Sequence, residues 1–279
     1  PATYDRGIPH ERFAELRATP GLVRNPDGPW GTAFWSVTRL DDLVAVSRDP
    51  TTFSSSVGHI QIYDVDEDVR DARASMIDLD PPIHTRLRRL VSSAFTPKHV
   101  QDYVDDVRRR IGDRLDALEA AGGGDWVAEV AAPIPIGVIC ALMGVPEADH
   151  DLMIEMTDHL VEGTSSAELD PGAYGNTKPL RELPFNSPAA FGVEEYARQA
   201  RRDRLADPRD DLLTQLAVAE VDGERLSETE YARFFQLMIF AGNETTRSAM
   251  AHLAVHLVDH EEQFDQVRAD GDLLDGAVE

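Results

Sequence analysis

The longest helical pattern in the chain begins at Ser227, and it constrains the fold more than any other feature. The stretch SETE from Ser227 to Glu230 is a capping-box pattern that stands directly before an apolar run. From it we predict one helix over about residues 228–259, roughly 45 Å long at 1.5 Å per residue. Few globular domains need a helix of that length unless it crosses the middle of the fold. The pattern therefore favours a mainly helical domain built around one central helix.

A small sheet is predicted near the N-terminus, and helix dominates the rest of the chain. Leu22-Val23 and the run from Ala33 to Thr38 have the character of two short strands with a turn-rich segment between them, which places a strand pair at about 22–38. A basic amphipathic helix is predicted over about 84–95, opened by Pro81-Pro82. No repeat period and no linker divides the chain, so we predict a single domain over 1–279.

Charge and apolar patterning exclude several classes of partner. The formal charge is −24, from 27 basic and 51 acidic residues, and such a surface repels nucleic acid. The apolar run from Val130 to Val145 is too short and too interrupted by Pro and Gly to span a bilayer. The N-terminal residues have no secretory signal pattern, and the lone Cys140 fits a reducing compartment. We expect a soluble cytoplasmic protein that neither binds nucleic acid nor inserts into membranes.

The most informative motif, AGNETT, lies in the middle of the predicted central helix. An apolar run ending at Phe240 meets the small pair Ala241-Gly242, and Glu244 and Thr245 follow. A glycine in a helix interior costs about 1 kcal/mol against Ala, and a Thr hydroxyl can bond to a carbonyl one turn earlier. The combination suits a groove where a carboxylate and a hydroxyl deliver protons to a bound group. The alternative is a helix-packing Gly beside a solvent-facing Glu-Thr pair.

A second motif, DPPIHTRLRR, begins at Asp80. His84 and Arg88 are four residues apart, so both point to one side of a helix. A His and an Arg on one face form a compact anion site, because the guanidinium fork matches a carboxylate. The alternative is that Arg86, Arg88 and Arg89 form a solvated basic face.

Together the two motifs resemble the cytochrome P-450 superfamily, most closely its soluble bacterial members. AGNETT is similar to the oxygen-activating signature of the family's central helix, and DPPIHTRLRRLVSSAFTP is similar to its propionate-binding helix. The resemblance implies a mainly α fold, a helical prism with a small N-terminal β-sheet, which holds haem b. It also implies a monooxygenase that inserts one atom of O2 into a hydrophobic molecule of terpenoid, steroid, fatty-acid or polyketide type. Electrons would come from NAD(P)H through a ferredoxin reductase and a ferredoxin.

The resemblance also implies a role for each motif residue. His84 and Arg88 would bind the haem propionates, and Ala241 and Gly242 would leave room for dioxygen at the cofactor. Glu244 would relay protons, and Thr245 would hydrogen-bond the oxygen being activated.

The substrate pocket and the redox partner are implied in the same way. The pocket would be lined by Leu237, Phe240 and Ala241, which share the Glu244 side of the helix. Because the net charge of −24 disfavours docking of an acidic ferredoxin, a local basic patch is required, and Arg86, Arg89 and Lys98 are the candidates for its nearest part.

One departure from the family's pattern is large. The Glu-x-x-Arg helix and the loop with the haem-ligating Cys are missing, so we expect the ligand to lie beyond the given chain and the fold to be incomplete. Cys140 lies in an apolar helical run, where a buried, inert thiol is expected. The 279-residue chain itself is then expected to be inactive. No metal site is predicted, although His252, His256 and His260 recur on one helix face.

Two rival functions stay open. The chain could be a haem-free binding or interaction protein derived from this fold. It could also belong to a haem peroxygenase or isomerase on the same fold, although the Glu244-Thr245 pair argues against an enzyme that bypasses dioxygen.

Overall fold

The structure is a computed structural model that describes residues 8–26, 33–58, 74–92, 95, 101, 103–165, 187–221 and 223–278. Its contacts cluster into two compact units, Pro1–Arg89 and Leu90–Glu279, and each unit is considered by itself. The single domain over 1–279 stays a prediction. Among the described residues, no helix is both long enough and apolar enough to cross a membrane.

The described residues of the first unit include the small sheet and four α-helices. Strands β1 (Val23–Asn25) and β2 (Phe34–Ser36) pair antiparallel, which confirms the strand pair predicted at about 22–38. Asn25 Nδ2 donates a 2.8 Å hydrogen bond to Ser36 Oγ and so ties one strand to the other. The helices are α1 (His10–Ala18), α2 (Leu40–Arg48), α3 (Ser55–Gly58) and α4 (Ile83–Ser92), the last of which ends in the second unit.

Helix α4 is the predicted propionate helix, and the residues before it are held by a carboxylate. Asp80 accepts hydrogen bonds from the hydroxyl of Ser54, from the Ser56 hydroxyl at 2.8 Å and from the Ser55 amide at 2.9 Å. The Ser54 hydroxyl, followed by the Ser56 and Ser55 donors, lowers the pKa of Asp80 to about 2. The carboxylate thus fastens α3 to the segment from which α4 begins.

Asp80→Ala removes the acceptor of these three hydrogen bonds. It is expected to lower the protection of the Ser55 amide against hydrogen exchange several-fold. The Thr52 amide, which donates to Asp49 Oδ1 at 3.1 Å, is the internal control and should keep its protection. Because the pKa of Asp80 is depressed from 3.8, the fastening is fully present above pH 4 and is lost as the pH falls toward 2. Hydrogen exchange followed by NMR measures both effects. Unchanged Ser55 protection in the variant would contradict the assignment.

In the second unit, several helices pack against the first half of one long helix. The α-helices in its described residues are α5 (Val104–Ala120), α6 (Pro133–Met143), α7 (His150–Ser165), α8 (Ala189–Ala206), α9 (Leu212–Val218), α10 (Glu228–Asp259), α11 (Glu261–Ala269) and α12 (Leu274–Val278). Helix α10 has the bounds predicted for the central helix. The capping box is present in both directions, since the Glu230 amide donates to Ser227 Oγ and the Ser227 amide donates to the Glu230 carboxylate.

The first half of α10 forms the core of this unit. Its buried residues include Tyr231, Phe235 and Ile239, each no more than 1% exposed. Buried polar groups on this half find backbone partners on neighbouring helices. The Tyr231 hydroxyl donates to the Leu213 carbonyl at 3.2 Å, and Gln236 Nε2 donates to the Ala190 carbonyl at 3.1 Å. These bonds fix α10 against α8 and α9.

The elements of this unit that were not predicted include a hairpin and a turn of π-helix. Glu220–Val221 (β3) and Glu224–Arg225 (β4) form a hairpin through Gly223, whose φ is +82°. Strands of two residues are too short to show the alternation by which a strand is recognised. Val127–Ala131 forms one turn of π-helix before α6, in a run whose apolar composition does not distinguish a π-turn from an α-turn.

A buried ion pair joins three segments of the second unit. Arg204 is 4% exposed, and its Nε donates to Asp211 Oδ2 at 2.6 Å while its Nη2 donates to the Gly144 carbonyl at 2.7 Å. Asp211 also caps α9 by accepting the Thr214 amide at 2.7 Å. Gly144 has φ +85°, and a Cβ there would overlap the side chain of Asp211. The pair therefore anchors the ends of α6, α8 and α9 together.

Candidate functional site

The residues of the AGNETT motif lie where α10 passes from its buried half to an exposed half. Ala241 and Thr245 are one turn apart on the same face, and both are exposed. Thr245 Oγ1 donates a 2.7 Å hydrogen bond to the Ala241 carbonyl, which is the back-bond that the sequence predicted. The small side chains of Ala241 and Thr245 thus leave this face of α10 accessible in the middle of the helix.

Gly242 has a packing role in the structure. A Cβ added at this position would lie 3.1 Å from Cδ1 and Cγ1 of Ile139 on α6, closer than ordinary van der Waals contact. Glycine therefore lets α6 approach α10, which is the helix-packing alternative stated for this residue. Helix α10 continues through Gly242 without interruption. Room for dioxygen at Ala241 and Gly242 stays a prediction.

Glu244 is half-buried, and its two carboxylate oxygens have different surroundings. Oε1 accepts a 3.3 Å hydrogen bond from Ser248 Oγ. Oε2 is buried and has no hydrogen-bond partner within the part of the chain that the structure describes, and the same holds for the neighbouring Asn243 Oδ1. A buried acceptor without a donor is costly, so it marks a place where a further donor is expected to bind.

A cation stands beside the buried oxygen of Glu244. Arg247 Nη1 lies 3.9 Å from Glu244 Oε2 and donates a 2.8 Å hydrogen bond to Asp158 Oδ1 on α7. Asp158 is 44% exposed, so this group of side chains reaches from the carboxylate of Glu244 to solvent. Sequence reasoning missed Arg247, although its spacing of three residues from Glu244 is a usable signal. Asp158 had no such signal, because it lies 89 residues earlier in the chain.

The residues predicted to line a substrate pocket are covered to different degrees. Leu237 is buried at 8% exposure, Phe240 is half-buried and Ala241 is exposed. Spaced at i, i+3 and i+4, they lie on one side of α10. Their role as pocket lining stays a prediction.

The predicted propionate ligands lie on the first two turns of α4. His84 is half-buried and Arg88 is exposed, four residues apart on one helix face. Neither side chain has an ion-pair or hydrogen-bond partner among the residues that the structure describes. Two cationic or donor groups on one face with no protein acceptor suit an anionic ligand such as a carboxylate.

Cys140 is buried within α6 and belongs neither to the AGNETT motif on α10 nor to the His84 and Arg88 pair on α4. It is fully buried, and desolvation raises the pKa of its thiol to about 12. The thiolate, which is the metal-binding form, is therefore disfavoured there. This confirms the expectation that Cys140 is a buried thiol. Within the described residues, no group of three or more His, Cys, Asp or Glu side chains is placed to hold a metal ion, His252, His256 and His260 included.

Comparison with known proteins finds relatives among bacterial monooxygenases and hydroxylases. The chain is 32% identical over 277 residues to a steroid C26-monooxygenase of Mycobacterium tuberculosis and 36% identical over 247 residues to a methyl-branched lipid omega-hydroxylase of the same organism. These matches cover 95% and 88% of this chain. A scan against profiles of protein families finds no match.

The fold also matches a solved structure. The cytochrome P-450 of Mycobacterium marinum in complex with pseudoionone superposes with a TM-score of 0.79 at 34% identity over 96% of this chain. The chain spans 60% and 55% of the lengths of the two curated relatives and 65% of that solved chain. Sequence and fold therefore agree on the same group of proteins.

Proposed function

Because the chain belongs to the bacterial cytochrome P-450 superfamily, we propose that its protein is a haem-dependent monooxygenase that acts on a hydrophobic small molecule. The proposal includes haem b as the cofactor, O2 as the oxidant, and electrons passed from NAD(P)H through a ferredoxin reductase and a ferredoxin. It places the protein in the cytoplasm. The observation that carries it is that an exposed hydroxyl, Thr245, and a half-buried carboxylate, Glu244, occupy adjacent positions on α10.

The residues of each unit fit the cofactor separately. In the first unit, His84 and Arg88 would hold the haem propionates, because their side chains lack protein partners in the described part of the chain. In the second unit, the exposed Ala241 and Thr245 present small side chains to whatever lies against α10. When bound, haem supplies the redox chemistry that activates dioxygen.

The role of this chain in that chemistry is to hold and deliver protons. Oxygen insertion consumes two protons, and they must reach the reacting oxygen from solvent. The Thr245 hydroxyl is aligned by its bond to the Ala241 carbonyl, so its oxygen can accept a hydrogen bond from a water. Glu244 Oε2 accepts no hydrogen bond from the described residues, so it can hold a proton between solvent and that water. Transfer over one water lies within the reach of general acid catalysis.

The substrate class follows from the relatives and from the apolar side of α10. Two relatives are named for a steroid and for a methyl-branched lipid, and the solved structure holds pseudoionone. All three molecules are largely apolar. Leu237, Phe240 and Ala241 would present a matching apolar lining, so we propose a steroid, a branched lipid or a terpenoid as substrate.

Oxygen-isotope labelling tests the reaction type. The full-length, haem-loaded protein is supplied with a ferredoxin, its reductase and a panel of these compounds under ¹⁸O2, and products are analysed by mass spectrometry. One ¹⁸O atom per hydroxylated product is expected. Products that form equally well with hydrogen peroxide in the absence of O2 would favour a peroxygenase. Failure to retain haem would favour a binding protein.

Arg88→Ala is expected to speed haem loss at least tenfold, because a propionate loses its charged partner. Arg86→Ala is the matched control, since residue 86 lies about 200° away from residue 88 around the helix. Transfer of haem to apomyoglobin measures both rates, and circular dichroism checks that helix content is retained. Equal loss from both variants would mean that the other face of α4 holds the carboxylates.

The proposed ferredoxin needs a local basic surface on a chain whose charge is −24. Arg86 is half-buried and Arg89 is exposed on α4, while Lys98, the third predicted docking residue, lies outside the described residues. Charge attraction between Arg89 and an acidic ferredoxin would speed association mainly at low ionic strength.

A further inference from the structure

One nitrogen atom of Arg247 faces two carboxylates that belong to different helices. Arg247 Nη1 is 2.8 Å from Asp158 Oδ1 on α7 and 3.9 Å from Glu244 Oε2 on α10. Only the shorter distance is a hydrogen bond. Arg247 Nη1 thus hydrogen-bonds Asp158, whereas Glu244 Oε2 is buried with no hydrogen-bond donor among the described residues.

We propose that Arg247 is a positioning residue whose partner is set by α7. While Asp158 holds Arg247, the Glu244 carboxylate stays available to take up and release protons. When α7 withdraws Asp158, Arg247 pairs with Glu244 and immobilises it. The inference rests on the proposed function, because it takes Glu244 as the group that delivers protons.

The geometry makes the exchange of partners a small movement. Arg247 and Glu244 are three residues apart on one helix, so a side-chain rotation closes the 3.9 Å gap without any change in the backbone of α10. Asp158, in contrast, moves with α7. Ser248 Oγ already holds Oε1 of Glu244, which keeps the carboxylate oriented toward Arg247.

Glu244 is the carboxylate that remains beside Arg247 when Asp158 is removed. Asp158 is 44% exposed, whereas Glu244 is 32% exposed and its Oε2 is buried. Water screens a charge on an exposed group more than a charge on a buried one. Arg247 is therefore expected to transfer to Glu244 when Asp158 is removed, instead of remaining unpaired. A bridge that only fastens α7 to α10 would leave Arg247 mobile in that case.

Rotation about the Nε–Cζ bond of Arg247 distinguishes these outcomes in the haem-free chain. It is measured by ¹⁵N NMR, with the Arg247 signals identified by their loss in Arg247→Lys. Asp158→Asn should keep the rotation restricted, because Glu244 takes over as partner. Glu244→Gln should also keep it restricted, through Asp158. The double variant Asp158→Asn/Glu244→Gln should free the rotation.

Turnover of the full-length, haem-loaded protein gives the functional readout. Asp158→Asn should slow turnover several-fold, and Asp158→Glu should restore it. A freely rotating Arg247 in Asp158→Asn alone, or unchanged turnover in that variant, would overturn the inference. Absence of any monooxygenase activity in the unsubstituted protein would instead overturn the proposed function, since the NMR result does not depend on haem.

Discussion

Thr245→Ala is expected to keep haem and substrate binding close to their original levels while diverting most of the consumed electrons to hydrogen peroxide. The variant removes the one hydroxyl that the AGNETT motif holds by a back-bond on the exposed face of α10. Without it, no side chain at this position orients the water that carries protons to the reacting oxygen. Reduced oxygen then takes up two protons and leaves as hydrogen peroxide. The measurement is the ratio of hydroxylated product to NAD(P)H consumed, with peroxide assayed in parallel.

Thr246→Ala is the matched control, because residue 246 lies about 100° further round the helix. It is exposed like Thr245 and loses the same atoms on substitution. Uncoupling in Thr246→Ala and not in Thr245→Ala would shift the register of the site by one residue. If neither variant uncouples, the Glu244-Thr245 pair is structural, and the monooxygenase proposal loses its mechanistic support.

Arg204→Met is expected to destabilise the second unit by about 3–5 kcal/mol, the largest effect on stability among these predictions. The substitution leaves the Asp211 carboxylate buried without its counter-charge and also leaves the Gly144 carbonyl without its donor. Both side chains of the pair are no more than 10% exposed, so water cannot replace the lost partner. Urea unfolding followed by circular dichroism measures the free energy of unfolding.

Two further variants distinguish the cost of leaving the Asp211 charge buried and unpaired from the cost of removing an arginine. Arg209→Met removes an ion pair with Asp207 whose side chains are 51% and 80% exposed, and it should cost less than about 1 kcal/mol. Adding Asp211→Asn to Arg204→Met should restore part of the stability, because asparagine is neutral and still caps a helix. Equal losses in Arg204→Met and Arg209→Met would contradict the role given to the buried pair.

Local features made the helical framework predictable. The capping box at Ser227 and the apolar run after it set the bounds of α10, because both act through hydrogen bonds and side chains only a few residues apart. The hairpin of β3 and β4 escaped prediction because its strands are two residues long.

Within the candidate site, sequence placed Glu244 beside Thr245 and anticipated the back-bond to Ala241, since residues one turn apart must meet on a helix. It left two readings of Gly242 open, and the approach of Ile139 from α6 shows a packing role.

By itself, the sequence determined the central helix, its cap, the order of the motif residues and the family resemblance, all of which depend on neighbours along the chain. Only the tertiary structure decided which distant groups meet these residues. Asp158 reaches Arg247 across 89 residues, and the Gly144 carbonyl reaches Arg204 across 60. No period or spacing encodes such pairs, because they form only when packed helices bring separate segments within hydrogen-bond distance. The surroundings of Glu244, and with them the inferred control by α7, therefore arise from helix packing.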